Sequence, residues 1–173
     1  MIIFTTLKQK DLAAVSAQQM FDHHFPNGNG PKQINRYIQY EITGNFSDDV
    51  LLNAISSTYI FANPNKHHLI TSIDSFNSKN TYINVARKSP LNLTSKVISL
   101  SQLLSDVNVD AVYESELWSF QHNGNLTMED ITNQFVTSSP TNKAPFAHPH
   151  IHTVTPTTFE ILANQLSFSK TQA

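Results

Sequence analysis

Apolar residues recur along the chain with two periods, and the places where one period gives way to the other divide it into short strands and short helices. Ile2, Ile3 and Phe4 open a strand over residues 2–6. A helix follows from about Asp11 to His24, with Ala13, Ala17, Met20, Phe21 and His24 on one side and Ser16, Gln19 and His23 on another. The run Phe25-Pro26-Asn27-Gly28-Asn29-Gly30-Pro31 continues no regular element and is read as a loop. Ile38, Tyr40 and Ile42 then alternate with Gln39 and Glu41, the period of a strand with one buried face, and Gly44-Asn45 ends it. Ser47 stands where a helix N-cap belongs, with Asp48 and Asp49 in the first turn and Val50, Leu51, Ala54 and Ile55 as an apolar stripe. Asn63-Pro64-Asn65 stops that helix.

Two β-rich runs, about His68 to Ile73 and Thr81 to Arg87, flank a polar turn and are expected to pair as a hairpin. Val97, Leu100 and Leu104 predict a helix within Ser95 to Asp106, and Ala111 to Phe120 a strand that ends at the turn His122-Asn123-Gly124-Asn125. Thr127 ahead of Met128-Glu129-Asp130 has the form of a loose capping box, with Met128, Ile131 and Phe135 as the stripe of a short helix. A polar loop containing Pro140 and Pro145 leads to a strand at His148 to Val154, then to a last helix marked by Phe159, Leu162 and Leu166. Strands and helices alternate irregularly, and no segment of the sequence repeats. The expected fold is α+β, a mixed or mostly antiparallel sheet of about five or six strands with helices packed against it.

The length of 173 residues suits one core, so residues 1–173 are expected to form a single domain. Eleven Lys and Arg against thirteen Asp and Glu leave a net charge of -2, with no basic run longer than a pair such as Arg87-Lys88. Nucleic-acid binding draws its affinity from phosphate neutralisation, and this balance disfavours it, while a small shielded nucleotide site is compatible with it. With no cysteine, any metal must be held by His, Asp, Glu or backbone oxygen. The opening strand carries no basic leader, and no stretch approaches the roughly 18 apolar residues of a membrane span. A cytoplasmic location away from membranes is expected.

The concentrated chemistry is His148, His150 and His152 at alternate positions, which an extended strand would set on one face. Three readings stay open. As structural imidazoles they would sit on an edge strand, for which Pro149 and Pro156 are suited, in a non-catalytic interaction or accessory protein with an unidentified protein partner. As metal ligands, His150 and His152 would chelate one divalent ion, zinc, manganese or iron, with His24 or His67 as a third ligand and a position left open to water. Asp22 and Glu160 are further donors. Glu114 and Glu116 lie two apart and share a face with Trp118; such a pair can do acid–base work, although a solvated face is the ordinary outcome. Trp118 and Phe120 are expected in the core.

The third reading is a resemblance. His148-Pro149-His150-Ile151-His152-Thr153-Val154 is similar to the alternating histidine and hydrophobe motif of the histidine-triad nucleotide hydrolases and transferases, with Pro149 and Thr153 at two of the hydrophobic positions. The resemblance implies a nucleotide ligand whose α-phosphate is attacked by His150, while His148 and His152 orient it and handle protons. A neutral imidazole is a competent nucleophile towards phosphorus. A helix and strand ahead of the motif, roughly Ser95 to Phe120, agree with that family's order. His150-Ile151-His152 also resembles the metal-binding signature of rolling-circle nickases and relaxases, a family that needs a tyrosine nucleophile and affinity for DNA.

Overall fold

The computed structural model describes residues 1–104, 107–124, 126–136, 147 and 151–167. The elements in chain order are β1 (Ile2–Leu7), α1 (Leu12–His24), β2 (Gln33–Asn45), α2 (Asp48–Ser56), β3 (His67–Ile70), a single 3-10 turn (Ile73–Ser75), β4 (Thr81–Arg87), α3 (Thr94–Leu103), β5 (Asn108–Gln121), α4 (Met128–Val136), β6 (His152–Thr157) and α5 (Phe159–Ser167). The six strands form one sheet in the order β3-β1-β2-β5-β4-β6, and every neighbouring pair is antiparallel. The fold is α+β.

That order is a palindrome. The chain runs twice through strand, helix, strand, helix, strand, and the two passes meet at the long central pair β2 and β5, so β1, β2 and β3 correspond to β4, β5 and β6. Registers agree residue by residue: Ile3 pairs with Tyr40 as Ile83 pairs with Trp118, and Leu7 pairs with His67 as Arg87 pairs with His152. With those pairs superposed, the pseudo-two-fold axis passes between Ile38 and Glu116, which face each other across the centre. What repeats is the placing of apolar positions rather than the residues themselves, which is why the sequence shows no repeat.

The expected hairpin between the third and fourth strands does not form. β3 is four residues long and pairs with β1, whereas β4 lies between β5 and β6. The turn that separates them is fixed otherwise, by the Tyr82 hydroxyl donating to the Asn77 carbonyl at 2.8 Å and accepting from the Asn77 amide at 2.9 Å. The last strand begins within the described residues at His152 and runs on through Pro156, which an edge position tolerates because the missing N–H faces no neighbour.

The helices divide one face of the sheet into two cores. Ile34, Ile83, Val85, Trp118 and Phe120 are covered by Ala17 and Phe21 of α1 and Ile131 of α4. Ile3, Tyr40, Ile42, Val109 and Val112 are covered by Leu51 and Ile55 of α2 and Leu100 of α3. Each core thus takes the first helix of one pass and the second helix of the other, as the pseudo-symmetry requires. On the opposite face Phe4, Tyr82 and Leu117 are closed over by Phe76 and by Leu162 and Leu166 of α5. Burying each large side chain contributes roughly 1.5–3 kcal/mol, so the cores rather than helix propensity hold these short helices in place.

Two local devices set the geometry near the centre. Asp11 caps α1 by accepting from the amides of Ala13 at 2.8 Å and Ala14 at 3.4 Å, as the helix start in the sequence suggested. In β5 the register shifts between Thr43 and Gly44, leaving Asp110 as an extra residue. Val109 and Val112, three positions apart, both face the second core because of that bulge. Gly44, at φ +153°, is pressed against the far strand: a Cβ there would lie 2.1 Å from the Asn108 carbonyl oxygen.

Candidate functional site

Polar residues gather where neither core reaches. Cross-strand pairing lays them out in two rows over β5, β4 and β6: Glu116, Val85 and Val154 in one, and in the next Arg87 and His152, with Glu114 one step past the Ser115–Ala86 pair. Directly opposed residues on one face have Cβ atoms about 5 Å apart, so the Arg87 and His152 side chains leave the sheet together. Val85, Arg87, Glu114, Ser115, Glu116 and His152 line a cleft of about 260 Å³. Its floor is apolar at Val85, and its walls carry two carboxylates, a guanidinium and an imidazole.

Glu116 is held in place. Its Oε1 accepts from Arg36 Nη1 at 2.9 Å, and its Oε2 accepts from the indole Nε1 of Trp118 at 2.9 Å. Arg36 in turn clamps Asp11 through Nε at 2.9 Å and Nη2 at 3.3 Å, and lies 5.8 Å over the Trp118 ring. Burial works against the charge on Arg36, but its hydrogen bonds to Asp11 and the field of Glu116 outweigh burial and raise its pKa above the ordinary guanidinium value. Asp11 therefore has two duties, capping α1 and fixing the arginine that positions Glu116.

The pseudo-symmetric counterpart is looser. Tyr40 stands opposite Glu114 as Trp118 stands opposite Arg36. The Tyr40 phenol is pushed well above its usual pKa by burial first and by the charge and hydrogen bond of Glu114 second. Lys96 lies 5.1 Å over the Tyr40 ring and 4.9 Å over Phe61, and donates to the Ile60 carbonyl at 2.6 Å. Burial lowers the pKa of this ammonium, and Glu114 partly restores it. Glu114 itself is exposed at the mouth of the cleft.

Of the residues singled out by sequence, His152 opens into this cleft, while His148 and His150 lie outside the described residues. His67 begins β3 at the other edge of the sheet; five strand spacings separate the two, about 24 Å. His24, half-buried at the end of α1, stands 5.8 Å edge-on to the ring of His23, where the preceding turn packs Phe21 against Phe120. Phe120 is six residues along β5 from Glu114, so the structure does not bring His24 or His67 to His152. Among the described residues no three His, Asp or Glu side chains gather closely enough to hold a metal ion. Nor is any helix among them long and apolar enough to cross a membrane.

Besides His152, two residues of the cleft carried a signal in the sequence. Glu114 and Glu116 were marked by their two-residue spacing, and the half-buried Glu116 is an anchored wall rather than a solvated face. Arg87 and Arg36 were not marked as site residues; Arg36 occupies an inward position of β2 beyond the alternation at Ile38 to Ile42, and only its ion pairs make that position tolerable. No protein-family model, curated protein or solved structure matches the chain.

Proposed function

We propose that the chain acts on a small phosphoester bound in the cleft over β4, β5 and β6. The observation that supports this most is the side-by-side exit of Arg87 and His152 from paired positions, with Glu114 beyond Arg87. A guanidinium fork matches two oxygens of a phosphate, and the neighbouring imidazole is suited to pass a proton to a leaving oxygen. Glu114, exposed at the rim, is placed to take a proton from an attacking water or ligand hydroxyl. Glu116 is engaged by Arg36 and Trp118, so its part is to shape the wall. His150, the nucleophile implied by the histidine-triad resemblance, stands two residues before His152 in the sequence.

Titration calorimetry with inorganic phosphate and with a nucleoside monophosphate tests the binding. Arg87→Ala is expected to weaken it about tenfold or more, as loss of a charge-assisted contact of about 1.5–3 kcal/mol implies. Turnover of a nucleoside phosphoramidate that stops on His150→Ala would give the run its catalytic part. The competing reading, a non-catalytic accessory protein, takes support from the edge position of β6 with Pro156 inside it. A wild-type chain that binds no phosphate-bearing ligand would leave that reading in possession.

A further inference from the structure

We infer that the chain carries a second ligand site, for a neutral polyhydroxylated molecule such as a monosaccharide, in the cavity beside His67 at the opposite edge of the sheet. The pseudo-two-fold axis relates His67 to His152, while the rest of the two linings comes from different elements. His67 faces Leu7 across β3 and β1 as His152 faces Arg87 across β6 and β4, and each histidine lines a cavity. The two linings differ in chemistry. Where the first cleft is mostly ionisable, the second, of about 220 Å³, is lined by Ser56, Ser57, Thr58, Tyr59 and His67 over an apolar base, and no Asp, Glu, Lys or Arg lines it.

Its hydrogen-bonding groups are already oriented. The Asn63 amide donates to Nδ1 of His67 at 3.2 Å, so the neutral ring carries its proton on Nε2, which is left to donate outward. Ser57 and Thr58 spend their hydroxyl protons on the carbonyls of Ala54 at 3.0 Å and Ile55 at 3.4 Å, which leaves oxygen lone pairs as acceptors. With the Ser56 and Tyr59 hydroxyls also in the lining, donors and acceptors lie side by side, which suits hydroxyl groups that both give and take. An anion would meet lone pairs without a cation, and a cation would meet no carboxylate. Tyr59 is three-quarters exposed at the rim, a flat surface for the C–H face of a sugar ring. At liquid density the cavity equals about seven waters, the scale of one ring and not of an oligomer.

The test is an amide-resolved NMR titration of the full chain with D-glucose, D-mannose and myo-inositol, with inorganic phosphate and ammonium chloride as controls. At least one of the three polyols is expected to shift the signals of Ser57, Thr58, Tyr59 and His67 without moving those of Arg87 and Glu114. Tyr59→Ala, at an exposed position, is expected to weaken that binding about two- to tenfold, the loss of one ring contact; His67→Phe, which keeps a flat ring and removes its N–H donor, is expected to weaken it as well, while Arg87→Ala leaves it unchanged. The inference is overturned if no polyol shifts these signals, if phosphate or ammonium shifts them instead, or if both Tyr59→Ala and His67→Phe bind as the native chain does. It does not depend on the phosphoester reading, whose failure would appear at Arg87.

Discussion

The two cores on the helix-covered face follow one plan and complete it with different chemistry. In each, a large aromatic ring from a central strand packs beneath two helices, a cation lies over that ring, and a carboxylate engages its polar atom. In the first core these are Trp118, Arg36 and Glu116; in the second they are Tyr40, Lys96 and Glu114. The first set is closed, since Arg36 is also clamped by Asp11 and its side chain is 24% exposed. The second stays open, because Lys96 reaches a backbone carbonyl instead of the carboxylate and Glu114 remains at the surface. Equal architecture therefore does not make equal electrostatics. Glu116 is held on both oxygens and Glu114 stands exposed, and the two line one cleft.

Removing the aromatic anchors strikes this comparison hardest. Trp118→Ala and Tyr40→Ala are each expected to cost about 3–5 kcal/mol, read as a shift of the urea midpoint. Because both cores are built on β2 and β5, a single transition should shift in both variants; two resolved transitions would mean that the halves unfold separately. Alkaline pH comes next, since one core holds a titratable ring where the other holds an indole. Burial raises the pKa of Tyr40, and that of Tyr37 on the other face to about 12, so the folded chain keeps protons that the unfolded chain sheds above about 10. Their contribution is complete below that pH and is lost as pH climbs through the folded values. Urea midpoints at pH 8 and pH 11 should converge partly in Tyr40→Phe, and an undiminished loss would place the alkaline response elsewhere.

Arg36→Met should cost about 1–2 kcal/mol, since it strands Asp11 and Glu116 at half-buried positions, while Lys96→Met should stay within about 0.5 kcal/mol. Matching losses in a double-mutant cycle would erase the distinction between a closed and an open set. The smallest effect concerns the helix starts. Thr127 Oγ1 accepts from the Asp130 amide at 3.0 Å while Asp130 Oδ2 accepts from the Thr127 amide at 2.9 Å, whereas its counterpart Ser47 makes no side-chain capping bond. Thr127→Ala should lower the melting temperature by a measurable amount, and Ser47→Ala should leave it within error.

Much of this was legible in the residues. Periodicity located the helices and most strands, the loose capping box at Thr127 forms, and Trp118 and Phe120 are buried as their strand position suggested. Pairing was not legible, because β3 is too short to declare its partner and the choice of β1 over β4 depends on contacts far apart in sequence. β2 was read too short for a physical reason: Arg36 breaks the apolar alternation ahead of Ile38, and its ion pairs with Asp11 and Glu116 make that inward position acceptable, whereas β5 was read over most of its length. The histidine run drew attention to His152 by its spacing, yet the partners of His152 came from register, through Arg87, which the sequence shows only as half of a basic pair. His67 seemed a spare ligand for the same centre, and the sheet instead sends it to the far edge.

The indole that donates to Glu116 is the sole tryptophan of the chain, and the carboxylate it touches is a wall of the charged cleft. A change at that carboxylate is expected to move the indole's emission wavelength. Occupation of the cleft would then be announced from within, with no dye attached, by a buried fluorophore beside the wall of the site it watches.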